Sequence, residues 1–213
     1  MTLIKRISQI LITSTLVVTL AACTTRMPDV AQEPVSVVVG SENISFSQNQ
    51  AALARIQSLD LNGQVGIITS QDRTSTTFTF SSLANGDYSV NLNIPYTARQ
   101  ASLKKVNARY FYSEGGKTYT ANNEQEFSKA LFGFAVPLTV LNKIVLGIPL
   151  DPSNAVVRGN VLASQVYDGN TLITYGDYRL LDNKYLVPFA ISIQRESDSI
   201  RIRLLEPYTY VAN

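Results

Sequence analysis

The sequence predicts an α+β fold in which a large, mainly antiparallel sheet carries one apolar face. Several segments alternate apolar and polar residues with a period of two, most clearly Asp87-Tyr88-Ser89-Val90-Asn91-Leu92-Asn93-Ile94, the pattern of a strand with one buried and one wet face. Asn85-Gly86, Gly115-Gly116 and Gly169-Asn170 separate such segments. These pairs tolerate positive φ, so successive strands are expected to pair as hairpins. Helix-compatible apolar runs near the start and in the middle supply the α component.

The chain opens with an export signal. Lys5 and Arg6 precede an uncharged stretch from Ile7 to Leu20, which leads into Leu20-Ala21-Ala22-Cys23. This is the arrangement of charged, apolar and small-residue regions that a signal peptidase reads. Ser8, Gln9, Thr13, Ser14, Thr15 and Thr19 interrupt the apolar stretch, whereas a membrane span wants about 20 mostly apolar residues. Residues 1–22 are therefore expected to be removed. Cys23, the only cysteine, is the nucleophile that would take a diacylglyceryl group and become the lipidated N-terminus.

Residues 23–45 are expected to form that lipidated terminus and a flexible tether, because they contain Pro28 and Pro34, few large apolar residues and no helical period. The remainder, 46–213, suits one domain. Ser45 and Ser47 are N-cap candidates ahead of Ala51, Ala52, Leu53, Ala54 and Ile56, so a first helix is placed near 47–58. From Leu59 the period becomes two. Further alternation occurs at Phe78 and Phe80, from Val187 to Ile193, and at Ile200, Ile202 and Leu204 between Arg201 and Arg203.

Two helices are expected in the middle. Asn122 or Asn123 caps one that carries Phe127, Ala130 and Leu131 and stops at Gly133. Pro137 opens another, with Leu138, Leu141, Ile144 and Val145, that stops at Gly147. The second has only Asn142 and Lys143 as strongly polar interior residues. Such a helix must be covered on nearly every side or face a cavity.

The composition excludes several functions. There is no histidine, which removes the usual general base of hydrolases and the commonest zinc ligand. Glu124 and Glu126 read as a first helical turn favoured by the macrodipole, and Asp177 and Asp182 as loop charge. Asn62-Gly63-Gln64-Val65-Gly66 lacks the P-loop lysine and the dinucleotide spacing, and reads as a bend or bulge in a strand. Removal of Lys5 and Arg6 with the signal leaves 16 cations against 16 anions. The densest basic pair, Lys104-Lys105, reads as a solvated strand edge, so nucleic-acid binding is not expected. No cofactor or metal is expected, and no enzyme activity.

What remains is a membrane-tethered, one-sided sheet with apolar helices near it. If the sheet curves without closing, helices across its mouth make a container for something apolar. Periodicity does not distinguish a hollow interior from a packed one, and on pattern alone a filled core is the default.

Tyr119-Thr120-Ala121, Glu126, Leu131, Gly133, Val136-Pro137-Leu138, Leu141 and Leu146-Gly147-Ile148-Pro149 resemble, in order and spacing, the outer-membrane lipoprotein receptors of the LolB family. Looser similarity runs from Leu53–Gly63 to Thr174-Tyr175-Gly176-Asp177-Tyr178 and Ile200-Arg201-Ile202. The resemblance implies an incomplete, half-open antiparallel β-barrel with a helical lid over an apolar cavity. It also implies a monomeric receptor that takes lipoproteins from the periplasmic carrier LolA by binding their acyl chains and inserts them into the inner leaflet of the outer membrane. On that basis Phe78, Phe80, Val90 and Leu92 are expected in the cavity wall, and Leu138, Leu141, Ile144 and Val145 in the lid.

The family's protruding Pro-Leu-Gly loop, whose leucine is linked to membrane insertion, corresponds to Pro95-Tyr96-Thr97. Here tyrosine replaces the leucine and threonine the glycine. Thr24, where inner-membrane retention is associated with aspartate, implies residence in the outer membrane. The competing expectation is a structural or assembly lipoprotein with a filled barrel that binds proteins by a sheet edge.

Overall fold

A computed structural model describes residues 38–94 and 99–212. The expected signal and Cys23, and the loop residues Pro95 and Tyr96, lie outside the described residues.

Residues 38–45, expected within the tether, pack against the domain. Asn160 Nδ2 donates to Ser41 O and Oγ (3.0 Å each) and to Ile44 O (3.2 Å), and Ser41 is fully buried. Helix α1 (Phe46–Leu53) starts on a capping box in which Ser45 Oγ accepts from Gln48 N and the Gln48 side chain accepts from Ser45 N. It ends earlier than expected. Ile56, Leu59 and Leu61 already belong to β1 (Ile56–Ile68), whose pairing on both sides outweighs further helix.

A meander follows: β2 (Arg73–Leu83), β3 (Tyr88–Ile94), β4 (Arg99–Val106), β5 (Arg109–Glu114) and β6 (Lys117–Ala121). Next comes α2 (Glu124–Phe132), capped by Asn123 Oδ1 and closed by Gly133. The expected helix after Pro137 is split into a 3-10 turn, Leu138–Val140, and α3 (Leu141–Leu146). Gly147 ends α3 at φ 67°, and a Cβ there would lie 2.9 Å from Tyr178 Oη, so both conformation and space require glycine. The chain then forms β7 (Ala155–Arg158), β8 (Val161–Tyr167), β9 (Thr171–Leu181), β10 (Tyr185–Arg195) and β11 (Asp198–Ala212).

All the strands join one antiparallel sheet in the order β6-β5-β4-β3-β2-β1-β11-β10-β9-β8-β7. The β1–β11 pair stitches the two meanders together. The terminal strands β6 and β7 are not paired with each other, so the sheet is open. The expected turns fall where placed, except that Asp168 and Gly169, rather than Gly169 and Asn170, carry the positive φ angles between β8 and β9. The irregularity expected near Gly63 is a register shift beside Asn62, where the additional residues belong to β11.

Two charge assignments change. Lys105 is not at an edge: β4 lies between β3 and β5, and the Lys105 side chain turns inward, 8% exposed, to donate to Gly86 O at 2.9 Å. Asp177 is not in a loop but within β9 at φ 47°, paired with Arg179 (3.0 Å) and Arg203 (3.5 Å).

The core lies between the apolar sheet face and the helices. α1 is fastened to β10 by Asn49, which is buried. Its Nδ2 donates to Leu186 O and its Oδ1 accepts from Leu186 N, both at 2.9 Å. This bidentate pairing replaces a missing strand partner with an amide of the same donor and acceptor geometry.

Candidate functional site

The period of two places Phe78 and Phe80 of β2 on one face, and the register sets them opposite Leu92 and Val90 of β3. Val90 in turn faces Leu103 of β4, which faces Tyr112 of β5. These side chains, with Val65 and Ile67 of β1 and Ile193, Ile200 and Ile202 of β10 and β11, surround a cavity of about 180 Å³. Leu131 and Phe132 of α2, Val136, and Leu141 and Val145 of α3 cover it. Residues from β5 and from β10 meet around one space although five strands separate them in the sheet order. The sheet therefore wraps around the helices.

Of the residues expected in the cavity wall and its cover, Phe78, Phe80, Val90, Leu92, Leu141 and Val145 line this space. Leu141 and Val145 are four apart on α3 and share a face. Leu138 and Ile144 are placed elsewhere, in solid packing at 1% and 0% exposure. The 3-10 turn accounts for Leu138, since it breaks the helical register that would have aligned it with Leu141.

One end of the space is closed by aromatic packing. Phe80 stacks on Tyr88 at 5.8 Å and Tyr110 tilts against Phe127 at 5.5 Å. Thr139 N and Oγ1 donate to the two oxygens of Glu124 at 2.6 and 2.9 Å, and Thr139 Oγ1 is 2.6 Å from Tyr110 Oη. This chain of contacts ties the 3-10 turn to α2 and β5. Glu124 is thus a structural clamp in the first turn of α2. The other end reaches the limit of the sheet, where Ile67, Thr76 and Leu92 lie within three residues of the ends of their strands. The connection 69–72 is on that side.

Thr76 and Tyr112 are the lining residues with polar side-chain atoms. Tyr112 Oη donates to Glu114 Oε2 at 2.9 Å, and burial, reinforced by the carboxylate beside it, pushes the phenol up to about 12. Sequence reasoning did not assign Val65, Leu103, Tyr112, Val136 or the β10–β11 isoleucines to the site. The alternation from Val187 to Ile193 and at Ile200 and Ile202 marked strands, but their position opposite β2 and β3 depends on the long-range β1–β11 pairing. Among the described residues no group of Cys, Asp and Glu side chains is placed to hold a metal, and no helix is long and apolar enough to cross a membrane.

A family model described as Outer membrane lipoprotein LolB matches residues 57–206. An outer-membrane lipoprotein LolB from Francisella tularensis subsp. novicida is 25% identical over 202 residues, spanning 93% of this chain and 93% of its own length. The protein of the same name from Aeromonas hydrophila is 23% identical over 186 residues, spanning 87% and 89%. Among solved structures, a LolA superfamily protein from Nitrosomonas europaea superposes with a TM-score of 0.51 at 7% identity, covering 84% of this chain and 96% of that one. The two share an open-sheet fold.

Proposed function

The chain belongs to the LolB family of outer-membrane lipoproteins, and from that premise we propose that it accepts lipoproteins from the periplasmic carrier LolA by enclosing their acyl chains and passes them to the inner leaflet of the outer membrane. The observation that carries this reading is the apolar cavity between the sheet and α2 and α3. Burial of hydrocarbon contributes about 0.8 kcal/mol per methylene. A multi-acyl anchor crossing water unprotected would be on the order of tens of kcal/mol uphill, so a receptor without an energy source must offer it a continuous apolar path.

In this reading the open sheet acts as a half-barrel and α2, the 3-10 turn and α3 as its lid. The enclosed 180 Å³ is comparable with an apolar cavity of about 150 Å³ that takes a benzene-sized guest. Several acyl chains need more room, so the lid moves away from the sheet on loading. Lipid on Cys23 holds the receptor at the outer membrane. Pro95 and Tyr96 follow β3 in the sequence, and Tyr96 takes the role of the family's inserting leucine. A phenol ring, apolar in body and polar at its tip, suits the headgroup region.

The test is transfer. The mature chain with Cys23→Ala is mixed with carrier loaded with a lipoprotein, and the complexes are separated. Movement of the lipoprotein onto the chain is expected. Retention on the carrier, with the receptor folded, would overturn the assignment.

A further inference from the structure

We propose that the anchored receptor works in two orientations, with the open end of its cavity turned to the periplasm while it receives and turned over to its own membrane while it delivers. The length of chain between Cys23 and the clamp at Asn160 decides whether it can turn. The proposal rests on the acyl-binding reading and on lipid at Cys23, and adds the geometry of delivery to them.

The point where the anchored segment meets the domain and the open end of the cavity lie at opposite limits of the sheet. Val38 O accepts from Ser41 N (3.0 Å) and Oγ (2.7 Å), and the fully buried Ser41 is held, with Ile44, by Asn160 in the turn between β7 and β8. A Cβ on the neighbouring Gly40 would lie 3.5 Å from Leu180 Cδ2, and Leu180 pairs in register with Leu186, next to the start of β10. The open end is at the other limit of that strand. Ile193 of β10 lines the cavity and pairs with Ile200, which pairs with Ile67. Ser70 N donates to Asp198 Oδ1 at 3.1 Å, which joins the 69–72 connection to the turn after Arg195. Leu186 to Arg195 is nine residues along the strand, about 30 Å.

These lengths constrain a domain anchored at Cys23. Cys23 to Val37 is fifteen residues, which span at most about 50–54 Å. With the open end pointing away from the membrane, almost none of that span is needed. With the open end against the membrane, the chain must return along about 30 Å of sheet and pass a headgroup layer of about 5–8 Å. The span covers both, with on the order of 15 Å left to round the domain. Asn160 is the positioning residue in this arrangement, because residues 38–45, held against the domain, add nothing to the reach.

The test uses the full lipidated chain in liposomes, a carrier loaded with a fluorescent lipoprotein, and a quenching lipid placed either in the receptor's own liposomes or in added receptor-free ones. Deletion of residues 27–36 leaves five residues from Cys23 to Val37, at most about 18 Å, too short to return along the sheet. This variant is expected to take up lipoprotein and release it to the added liposomes as the parent does. Release into its own membrane should fall about tenfold or more, as for a linker that cannot span its sites. Ten glycine and serine residues in place of the deleted ones should restore it. Parental release into its own membrane by the deletion variant, equal loss towards both membranes, or no rescue by the glycine and serine segment would overturn this inference alone. Failure of the parent to take up lipoprotein would overturn the acyl-binding reading and this inference with it.

Discussion

Gly63 of β1 lies directly beneath the ring of Phe78 on β2: a Cβ at position 63 would stand 2.6 Å from Phe78 Cε1 and 2.6 Å from the carbonyl oxygen of Arg203. The ring occupies the space that any side chain at 63 would need, and from there it forms part of the cavity wall.

Gly63→Ala is therefore expected to push Phe78 into the cavity and strain the β1–β11 ladder. The cost should be about 1–3 kcal/mol of stability, measured as a lower urea midpoint. Binding of an apolar fluorophore should weaken more than the stability loss alone explains. Unchanged binding and stability would mean that the strand shifts freely.

Asn49→Ala removes both hydrogen bonds to Leu186 and leaves a buried N–H and C=O without partners. A loss of about 2–4 kcal/mol is expected, with α1 released first. Hydrogen exchange should show the amides of α1 losing protection while those of β2 and β3 keep theirs.

Much of the fold was legible because its strands are local hairpins. Tyr88 to Ile94 declares its buried face by alternation, and Gly115-Gly116 and Gly133 mark turns and ends by backbone chemistry. The cavity was legible in half. Phe78, Phe80, Val90 and Leu92 belong to one hairpin, so their shared face follows from period and turn. Their opposite wall depends on β11 returning to β1 across more than a hundred residues, which no local pattern encodes. The inward turn of Lys105 escaped for a related reason. Its neighbour Lys104 suggested a charged edge, whereas the backbone oxygen that receives it belongs to the β2–β3 turn.

Alkaline unfolding should be steep. Burial raises the phenols of Tyr175, Tyr178 and Tyr208 above their ordinary value, and burial with the Glu114 carboxylate pushes Tyr112 up to about 12. Above about pH 10 the unfolded chain loses these protons while the folded chain keeps them, so the unfolded state binds fewer protons and stability falls as pH rises. The contribution is fully present below pH 10 and is lost through pH 12 and above. A urea midpoint that is flat from pH 9 to 11 would contradict this.

Tyr96→Glu should leave uptake from the carrier near the parental rate and slow release into liposomes, because a carboxylate is expensive to desolvate among headgroups. Tyr96→Leu should preserve release. Scoring the two transfer steps separately distinguishes these outcomes. Parental release by Tyr96→Glu would remove Tyr96 from the insertion step.

Leu141→Glu should fold, since Leu141 is only partly buried, yet it places a carboxylate against the apolar space. Apolar probe binding is expected to fall about tenfold or more. Unchanged binding to a folded variant would mean that α3 does not cover the site.

The location of the acyl chains themselves can be read by photo-cross-linking. A lipoprotein carrying a diazirine at the terminal carbon of an acyl chain is transferred from its carrier to the receptor, irradiated, and the adducts are mapped by mass spectrometry. Adducts on Phe78, Phe80, Val90, Leu92, Leu141 or Val145 are expected. Adducts confined to the outer sheet face or to the edges β6 and β7, or none while the lipoprotein remains bound, would contradict an acyl-filled cavity and indicate a packed core that binds lipoproteins through their protein part.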